Sequence, residues 1–223
     1  MKNIKIAVDG PAGVGKSSLA KLLARDLKIT YIDSGAMYRA VGIYCLGKGI
    51  STDEPEAVCS VLDEIDIDMT YENGVLADLL NGDDVSEKIR TPEGSIAASK
   101  VAVIGEVRKK LVELQRKMAD GKSVVMDGRD IGTKVFPDAD LKLFLTASPE
   151  KRAERRFKEL GEKVPYEEIL SDIKFRDEND STRKIDPLRP AEDAVMLDNT
   201  ALDLEGTLRE AKRIAEEKLC IKL

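Results

Sequence analysis

The sequence predicts an α/β fold in three layers, with a five-stranded parallel sheet held between helices. Three observations carry this. First, five short runs are continuously apolar rather than alternating, as strands buried on both faces are: Ile4–Val8, Thr30–Ile32, Val124–Met126, Leu141–Leu145 and Val195–Leu197. Second, segments of helical periodicity lie between them. Third, each run ends on or near a polar residue, Asp9, Asp33, Asp127, Thr146 and Asp198 in turn, and open α/β sheets bind their ligands at that end of the strands.

The first strand leads into Gly10-Pro11-Ala12-Gly13-Val14-Gly15-Lys16-Ser17, a complete G-x-x-x-x-G-K-[ST] phosphate loop, and a helical pattern follows from Ser17 to about Leu27. Strand, loop and helix together give the motif its mechanism. Gly10, Gly13 and Gly15 let backbone N–H groups turn inward around an anion. The helix points its positive end at the same spot. Lys16 is placed to reach the β- and γ-phosphates, and Ser17 to offer a hydroxyl to Mg²⁺. The loop alone does not choose among kinases, ATPases and GTPases; the Asn-Lys-x-Asp pattern of base-reading GTPases is absent.

Between the second and third strands lie roughly 90 residues, too many for a simple crossover. A helix is expected from about Ala36 to Lys48, stopped by Gly49, and another from about Pro55 to Glu64. Ile65-Asp66-Ile67-Asp68-Met69 alternates with period two, as a half-buried strand does. Asn73-Gly74 is a hairpin signal, and Val75–Leu80 and the stretch from Asn81-Gly82 to Val85 complete a small antiparallel sheet inserted at about 65–90. Thr91-Pro92-Glu93 opens one long amphipathic helix to Met118, with Val101, Ile104, Val107, Leu111, Leu114 and Met118 at helical spacing as its core face. Beyond the fourth strand, Ser148-Pro149-Glu150 starts a helix carrying Arg152, Arg155 and Arg156. A second helix follows the Gly161/Pro165 interruption and runs to about Asp177. The loop Asn179–Pro190 then returns to the last strand, and a final helix spans Leu204–Leu219.

Composition removes several alternatives. The chain of 223 residues contains no histidine, which excludes Ser-His-Asp hydrolysis, histidine proton shuttles and the usual zinc sites. A net charge of −6 argues against a nucleic-acid polymer as partner. Cys45, Cys59 and Cys220 form no metal or disulfide pattern and read as reduced thiols. No run is long and apolar enough to span a membrane, and Met1–Val8 is too short and too directly a strand to be a signal peptide. The expectation is a cytoplasmic monomer.

Two further segments stand at strand ends: Asp33-Ser34-Gly35-Ala36-Met37-Tyr38-Arg39 and Asp127-Gly128-Arg129-Asp130-Ile131-Gly132-Thr133. With the phosphate loop they closely resemble the signatures of the bacterial cytidylate kinases, and the resemblance runs nearly end to end, including the inserted sheet and the stretch from Arg176 to Arg183. One departure is Ser17 followed by Ser18, where some relatives have Gly after the loop lysine. The resemblance implies a three-layer P-loop kinase with a core (1–34, 119–150, 190–223), an acceptor-binding region (35–118) and a helical lid (151–189). It implies transfer of the γ-phosphoryl group of ATP to CMP or dCMP, with Mg²⁺. By position it implies that Gly10–Ser18, with Arg155 and Arg156, contact ATP. Ser34, Arg39 and Arg129 match acceptor-nucleotide contacts, mainly at the phosphate. Ser99, Arg108 and Asp130 match readers of the cytosine edge, Arg176 and Asp180 the sugar-contacting pair, and Arg183 a phosphate contact. Lys16, Arg129 and Arg183 are the expected catalytic groups.

The chemistry agrees with these residue types. The acceptor is itself a phosphate, mostly dianionic at neutral pH, so no general base is required. What is required is positioning and cationic clamping of two anions that repel. Arginine supplies this with fixed two-oxygen geometry. Asp130 can accept from the exocyclic amine of cytosine, whereas uracil would set a carbonyl against it at a cost of roughly 1–3 kcal/mol.

Overall fold

The computed structural model describes residues 3–72 and 75–221; the expected Asn73-Gly74 turn lies outside them. Along the chain the elements are β1 (Lys5–Asp9), α1 (Lys16–Leu27), β2 (Thr30–Asp33), α2 (Ser34–Gly47), α3 (Pro55–Ser60), β3 (Ile67–Glu72), β4 (Val75–Leu80), β5 (Asp83–Asp84), α4 (Pro92–Val101), α5 (Gly105–Met118), β6 (Val124–Gly128), β7 (Leu141–Thr146), α6 (Pro149–Glu159), α7 (Tyr166–Thr182), β8 (Val195–Asp198) and α8 (Leu204–Leu219). The chain divides into two compact units, one of residues 1–32 with 119–223 and one of residues 33–118.

The first unit is built on the five-stranded sheet, in the order β2-β6-β1-β7-β8. β1 pairs in parallel with β6 on one side and β7 on the other, and β7 pairs in parallel with β8. The register sets Asp9 beside Gly128 and Phe144. Polar strand ends from different parts of the chain therefore meet along one edge of the sheet. Ile6, Ala7, Val8, Val124, Val125 and Met126 have no exposed surface, as central parallel strands require. β8 is the exception. It is an edge strand, and Met196 is half exposed. α1 and α8 pack together against the sheet.

The second unit holds α2 to α5 and a three-stranded antiparallel sheet, β3-β4-β5. Its core joins Met37 and Val41 of α2, Ile67 and Leu80 of the sheet, and Val107 and Leu111 of α5. Thr91 caps α4 by accepting from the Gly94 N–H (3.1 Å), and Pro92 opens its first turn.

The structure corrects three expectations. The single helix expected from Thr91 to Met118 is two, α4 and α5, broken between Val101 and Gly105. The β-branched residues Val101, Val103 and Ile104, followed by Gly105, weaken the helix there. The apolar spacing hid the break because Val101, Ile104, Val107 and Leu111 remain buried across it. The helix expected to stop near Asp177 continues to Thr182, taking Asn179–Thr182 out of the loop. The helix expected from about Pro55 to Glu64 ends at Ser60 and is followed by a 3-10 turn at Leu62–Glu64. After β6, residues Ile131–Val135 form a π-helical turn. Among the described residues, no helix is long and apolar enough to cross a membrane.

The second unit depends on a close helix approach. A Cβ added at Gly42 of α2 would lie 2.6 Å from the Cβ of Ala97 on α4. Gly42→Val should therefore destabilise the protein by about 2 kcal/mol through overpacking. Chemical denaturation would show this as a lower midpoint, and an unchanged midpoint would contradict this account of the α2–α4 contact.

Candidate active site

The phosphate loop joins β1 to α1, and its backbone explains its glycines. Gly10 has φ +150°, and a Cβ there would sit 2.3 Å from the Leu145 carbonyl oxygen on β7. Gly15, at φ +92°, occupies the cap position of α1 with no side chain satisfying the helix's first N–H groups. The amino end of this 12-residue helix is therefore uncapped by Gly15, and a helix amino end of this kind favours an anion.

The loop carbonyls are held on the opposite side. Lys16 Nζ donates to the Pro11 carbonyl (2.7 Å), Arg152 Nη1 to the Ala12 carbonyl (3.0 Å) and Asn199 Nδ2 to the Val14 carbonyl (3.0 Å). With these three C=O groups engaged, the N–H edges of the same peptide planes are turned away from the tethers. Arg152 is 3% exposed and also donates to Ala147 O (3.0 Å) and, through both terminal nitrogens, to the carboxylate of Asp177 on α7. The residues expected to form a lid are thus tied directly to the loop.

Lys16 is 6% exposed. Burial, and then the nearby Arg129 charge, push its pKa down to about 7; Asp127, Asp180 and Asp9 oppose the shift. A phosphate would restore the ammonium. Ser17 Oγ donates to Asp127 Oδ2 (2.8 Å), and Tyr31 Oη donates to the other oxygen of the same carboxylate (2.7 Å). Among the described residues, no group of three or more His, Cys, Asp or Glu side chains is placed to hold a metal. The Ser17–Asp127 pair supplies two hard oxygen donors beside the loop, the donor chemistry that suits Mg²⁺ when phosphates and water complete its shell.

Asp9, at the end of β1, accepts from the N–H groups of Ile131 (2.8 Å) and Gly132 (2.7 Å). Burial raises its pKa to about 6. This clamp sets the start of the π-helical turn, immediately after Arg129 and Asp130. Arg129 Nε donates to Asp180 Oδ2 (2.7 Å) on α7. Burial opposes the charge on both, yet the pairing raises the Arg129 pKa and lowers that of Asp180. Arg183 Nη2 lies 3.4 Å from Asp130 Oδ1, with both side chains under one-tenth exposed, and the same guanidinium donates to the Asp186 carbonyl. Of the residues matched to catalysis and acceptor binding, the first unit therefore brings Lys16, Arg129, Asp130, Asp180 and Arg183 into one network. Arg176 is one turn of α7 before Asp180 and 4.0 Å from Asp172.

Arg155 and Arg156 stand elsewhere. Arg155 donates to Asn199 Oδ1 (3.0 Å) and to the carbonyls of Asn199 and Leu202, so it braces the residue that tethers Val14. Arg156 is half exposed and pairs with Glu159 on its own helix. Ser18 is exposed on the first turn of α1.

The second unit carries the remaining candidates. Ser34 opens α2 and is 3% exposed. Asp33 caps the helix through Ala36 N–H (2.9 Å) and pairs with Arg39 Nη2 (3.0 Å). Arg108 of α5 is 2% exposed, stacks 5.8 Å from the centroid of the Tyr38 ring and donates to the Ala102 carbonyl (3.2 Å). That carbonyl is available because α4 ends at Val101. Ser99 lies on α4 and donates to Ser95 O (3.2 Å).

Sequence reasoning missed Asn199, the clamp made by Asp9 and the loop tether made by Arg152. The nearest signal for Asn199 was the polar residue ending the last strand. The structure gives Asp198 a local role, accepting from Thr200, and sets the following residue against the loop.

A phosphate loop at the carboxyl edge of a parallel sheet, with arginines gathered beside its lysine, defines a phosphoryl-transfer enzyme of the P-loop kinase class. The family model described as "Cytidylate kinase" matches residues 6–217, and the chain belongs to the cytidylate kinase family. The cytidylate kinase of Caldicellulosiruptor saccharolyticus is 53% identical over 213 residues, covering 94% of both chains. That of Carboxydothermus hydrogenoformans is 47% identical over 96% of this chain and 98% of the relative. Among solved structures, an uncharacterized protein from Eubacterium ventriosum shares the fold at 12% identity, with a TM-score of 0.55 over 97% of this chain and 99% of that one.

The Val14 tether yields a direct expectation. Asn199→Ala removes the donor to the loop and the acceptor of Arg155, and should weaken ATP binding by about 1–3 kcal/mol. Titration calorimetry would measure this, and wild-type affinity in a folded variant would contradict the role of Asn199.

Proposed function

We propose that this chain transfers the γ-phosphoryl group of ATP to CMP or dCMP, giving ADP and the corresponding diphosphate, with its own cationic groups acting as the catalyst. The observation that carries the reading is the network Lys16–Arg129–Asp180 at the phosphate loop of a cytidylate kinase family member. The loop N–H groups and the amino end of α1 hold the donor's phosphates. Lys16 follows the charge of the γ-phosphoryl group, and its depressed pKa makes the ammonium dependent on that charge. Arg129 and Arg183, now paired with Asp180 and Asp130, exchange carboxylate oxygens for phosphate oxygens of the same geometry.

Mg²⁺, held by Ser17 and supported by Asp127, supplies further neutralisation of the phosphate oxygens when bound. Ser34 and Arg39 receive the acceptor phosphate, Ser99, Arg108 and Asp130 discriminate its base, and Arg176 with Asp180 serves the sugar. Arg155 supports ATP binding indirectly, through Asn199, and Arg156 lies at the solvent-facing edge of the same helix. Closure of the α6–α7 segment keeps water from the γ-phosphoryl group. Because the acceptor oxygen is already ionised, no residue has to remove a proton.

The test is release of ADP, measured by a coupled assay with Mg-ATP and CMP, dCMP, UMP, AMP or no acceptor. Turnover with CMP and dCMP should exceed that with UMP by about tenfold or more, the discrimination expected from one mismatched hydrogen-bonding edge. Binding of ATP with no acceptor-dependent ADP release would contradict the reading. Activity on AMP or UMP alone would overturn the assignment of Ser99, Arg108 and Asp130.

A further inference from the structure

The inserted sheet contains a side chain that packing alone does not explain. On β4, Leu76, Asp78 and Leu80 alternate onto one buried face, and Leu80 joins the apolar core there. Asp78 is 3% exposed, and neither carboxylate oxygen has a hydrogen-bond partner among the described residues. Its ion pair is with Arg90 at 3.5 Å, and the Arg90 side chain is half exposed. Arg90 favours the ionised carboxylate, but this single long contact leaves it short of hydrogen bonds, and an unsatisfied buried carboxylate is costly. Burial and the neighbouring Asp33 charge both raise the Asp78 pKa, which is the same cost seen in another way. Leucine at this position would continue the face at no such cost.

The missing partner is present in the same unit. Arg39 donates through Nη2 to Asp33, and its Nη1 lies over Gly35, where a Cβ would come within 3.1 Å. Its Nε–H is buried without a hydrogen-bond partner among the described residues. The Arg39 charge acts on Asp78 and stabilises its ionised form. A buried donor lacking an acceptor and a buried acceptor lacking a donor are thus carried by α2 and β4, two elements that pack against each other.

We propose that Asp78 is a positioning residue for Arg39, engaging the Nε edge of the guanidinium while Asp33 holds the Nη2 edge. The inserted sheet thereby takes part in receiving the acceptor phosphate. With two edges held, the Nη1 edge lies over the amino end of α2, where an anion is favoured. The inference rests on the reading of Arg39 as an acceptor-phosphate contact.

The experiment compares Asp78→Asn, Asp78→Leu, Arg39→Met and the Asp78→Asn/Arg39→Met double variant, measuring KM for CMP, KM for ATP and the thermal midpoint. Both Asp78 variants should raise KM for CMP about fivefold or more, with KM for ATP changed by less than about twofold. The leucine variant should melt no lower than the parent. In the Arg39→Met background, Asp78→Asn should add less than about twofold, because the two act as a unit. If Arg39→Met raises KM for CMP and neither Asp78 variant does, the proposal fails and the Arg39 reading stands. If Arg39→Met leaves KM for CMP unchanged, the Arg39 reading fails and takes the proposal with it. Full additivity in the double variant, or a lower melting point with KM for CMP unchanged, would assign Asp78 a structural role and overturn the proposal.

Discussion

The hold on the phosphate-loop carbonyls is the constraint on which the rest of this structure depends. A peptide plane has two polar edges, and fixing one aims the other. Arg152 fixes Ala12 and Asn199 fixes Val14, while Lys16 is folded back onto Pro11. The N–H edges of the loop and the amino end of α1 are thereby left free of these tethers, and fixed donors of this kind are what stabilises charge without reorganisation. The tethers also join distant parts of the chain. Arg152 links the loop to α7 through Asp177, and Asn199 links it to the segment after β8, braced by Arg155. Residues far apart in sequence thus act on a loop of eight.

The same economy governs charge. The protein is acidic overall, yet its candidate site is rich in arginine. Four buried or partly buried guanidiniums meet a carboxylate: Arg152 with Asp177, Arg129 with Asp180 and Arg183 with Asp130 in the first unit, and Arg39 with Asp33 in the second. An unpaired buried charge would be strongly destabilising, and the pairing offsets that cost. A carboxylate and a phosphate offer arginine the same two-oxygen edge, so the pairs that stabilise the fold also keep the phosphate-binding geometry in place. Lys16 is the exception. It sits near a second cation, Arg129, and burial together with that charge lowers its pKa to about 7.

What the sequence made legible were features with local signatures. The phosphate loop reads from its glycines because the backbone at Gly10 leaves no room for a Cβ beside Leu145. The strands of the sheet read from apolar runs, and the Thr91 cap from its Pro-Glu sequel. Features settled by distant partners did not read. Nothing near Asp9 indicates that it will hold residues 131 and 132. Arg152 shares a helix with Arg155 and Arg156, and spacing alone cannot separate the buried arginine that tethers the loop from an exposed one such as Arg156. The break between α4 and α5 was masked by apolar residues that keep helical spacing across it. Yet the break frees the Ala102 carbonyl for Arg108.

The central claim is that Lys16 is a buried amine whose charge the protein only partly compensates, and that the donor's phosphates supply the rest. With its pKa lowered from 10.5 to about 7, Lys16 binds a proton in the unfolded chain but not in the folded one between those values. Stability should therefore rise with pH across that window, while the cost of the buried charge is fully present below it. Binding an anion reverses the shift. The deciding measurement is calorimetric titration of ATP at pH 8 in two buffers of different ionisation enthalpy, with Lys16→Arg as the control. The account predicts net proton uptake by the parent protein and none by the arginine variant. Proton-neutral binding by the parent, or equal uptake by both, would contradict it.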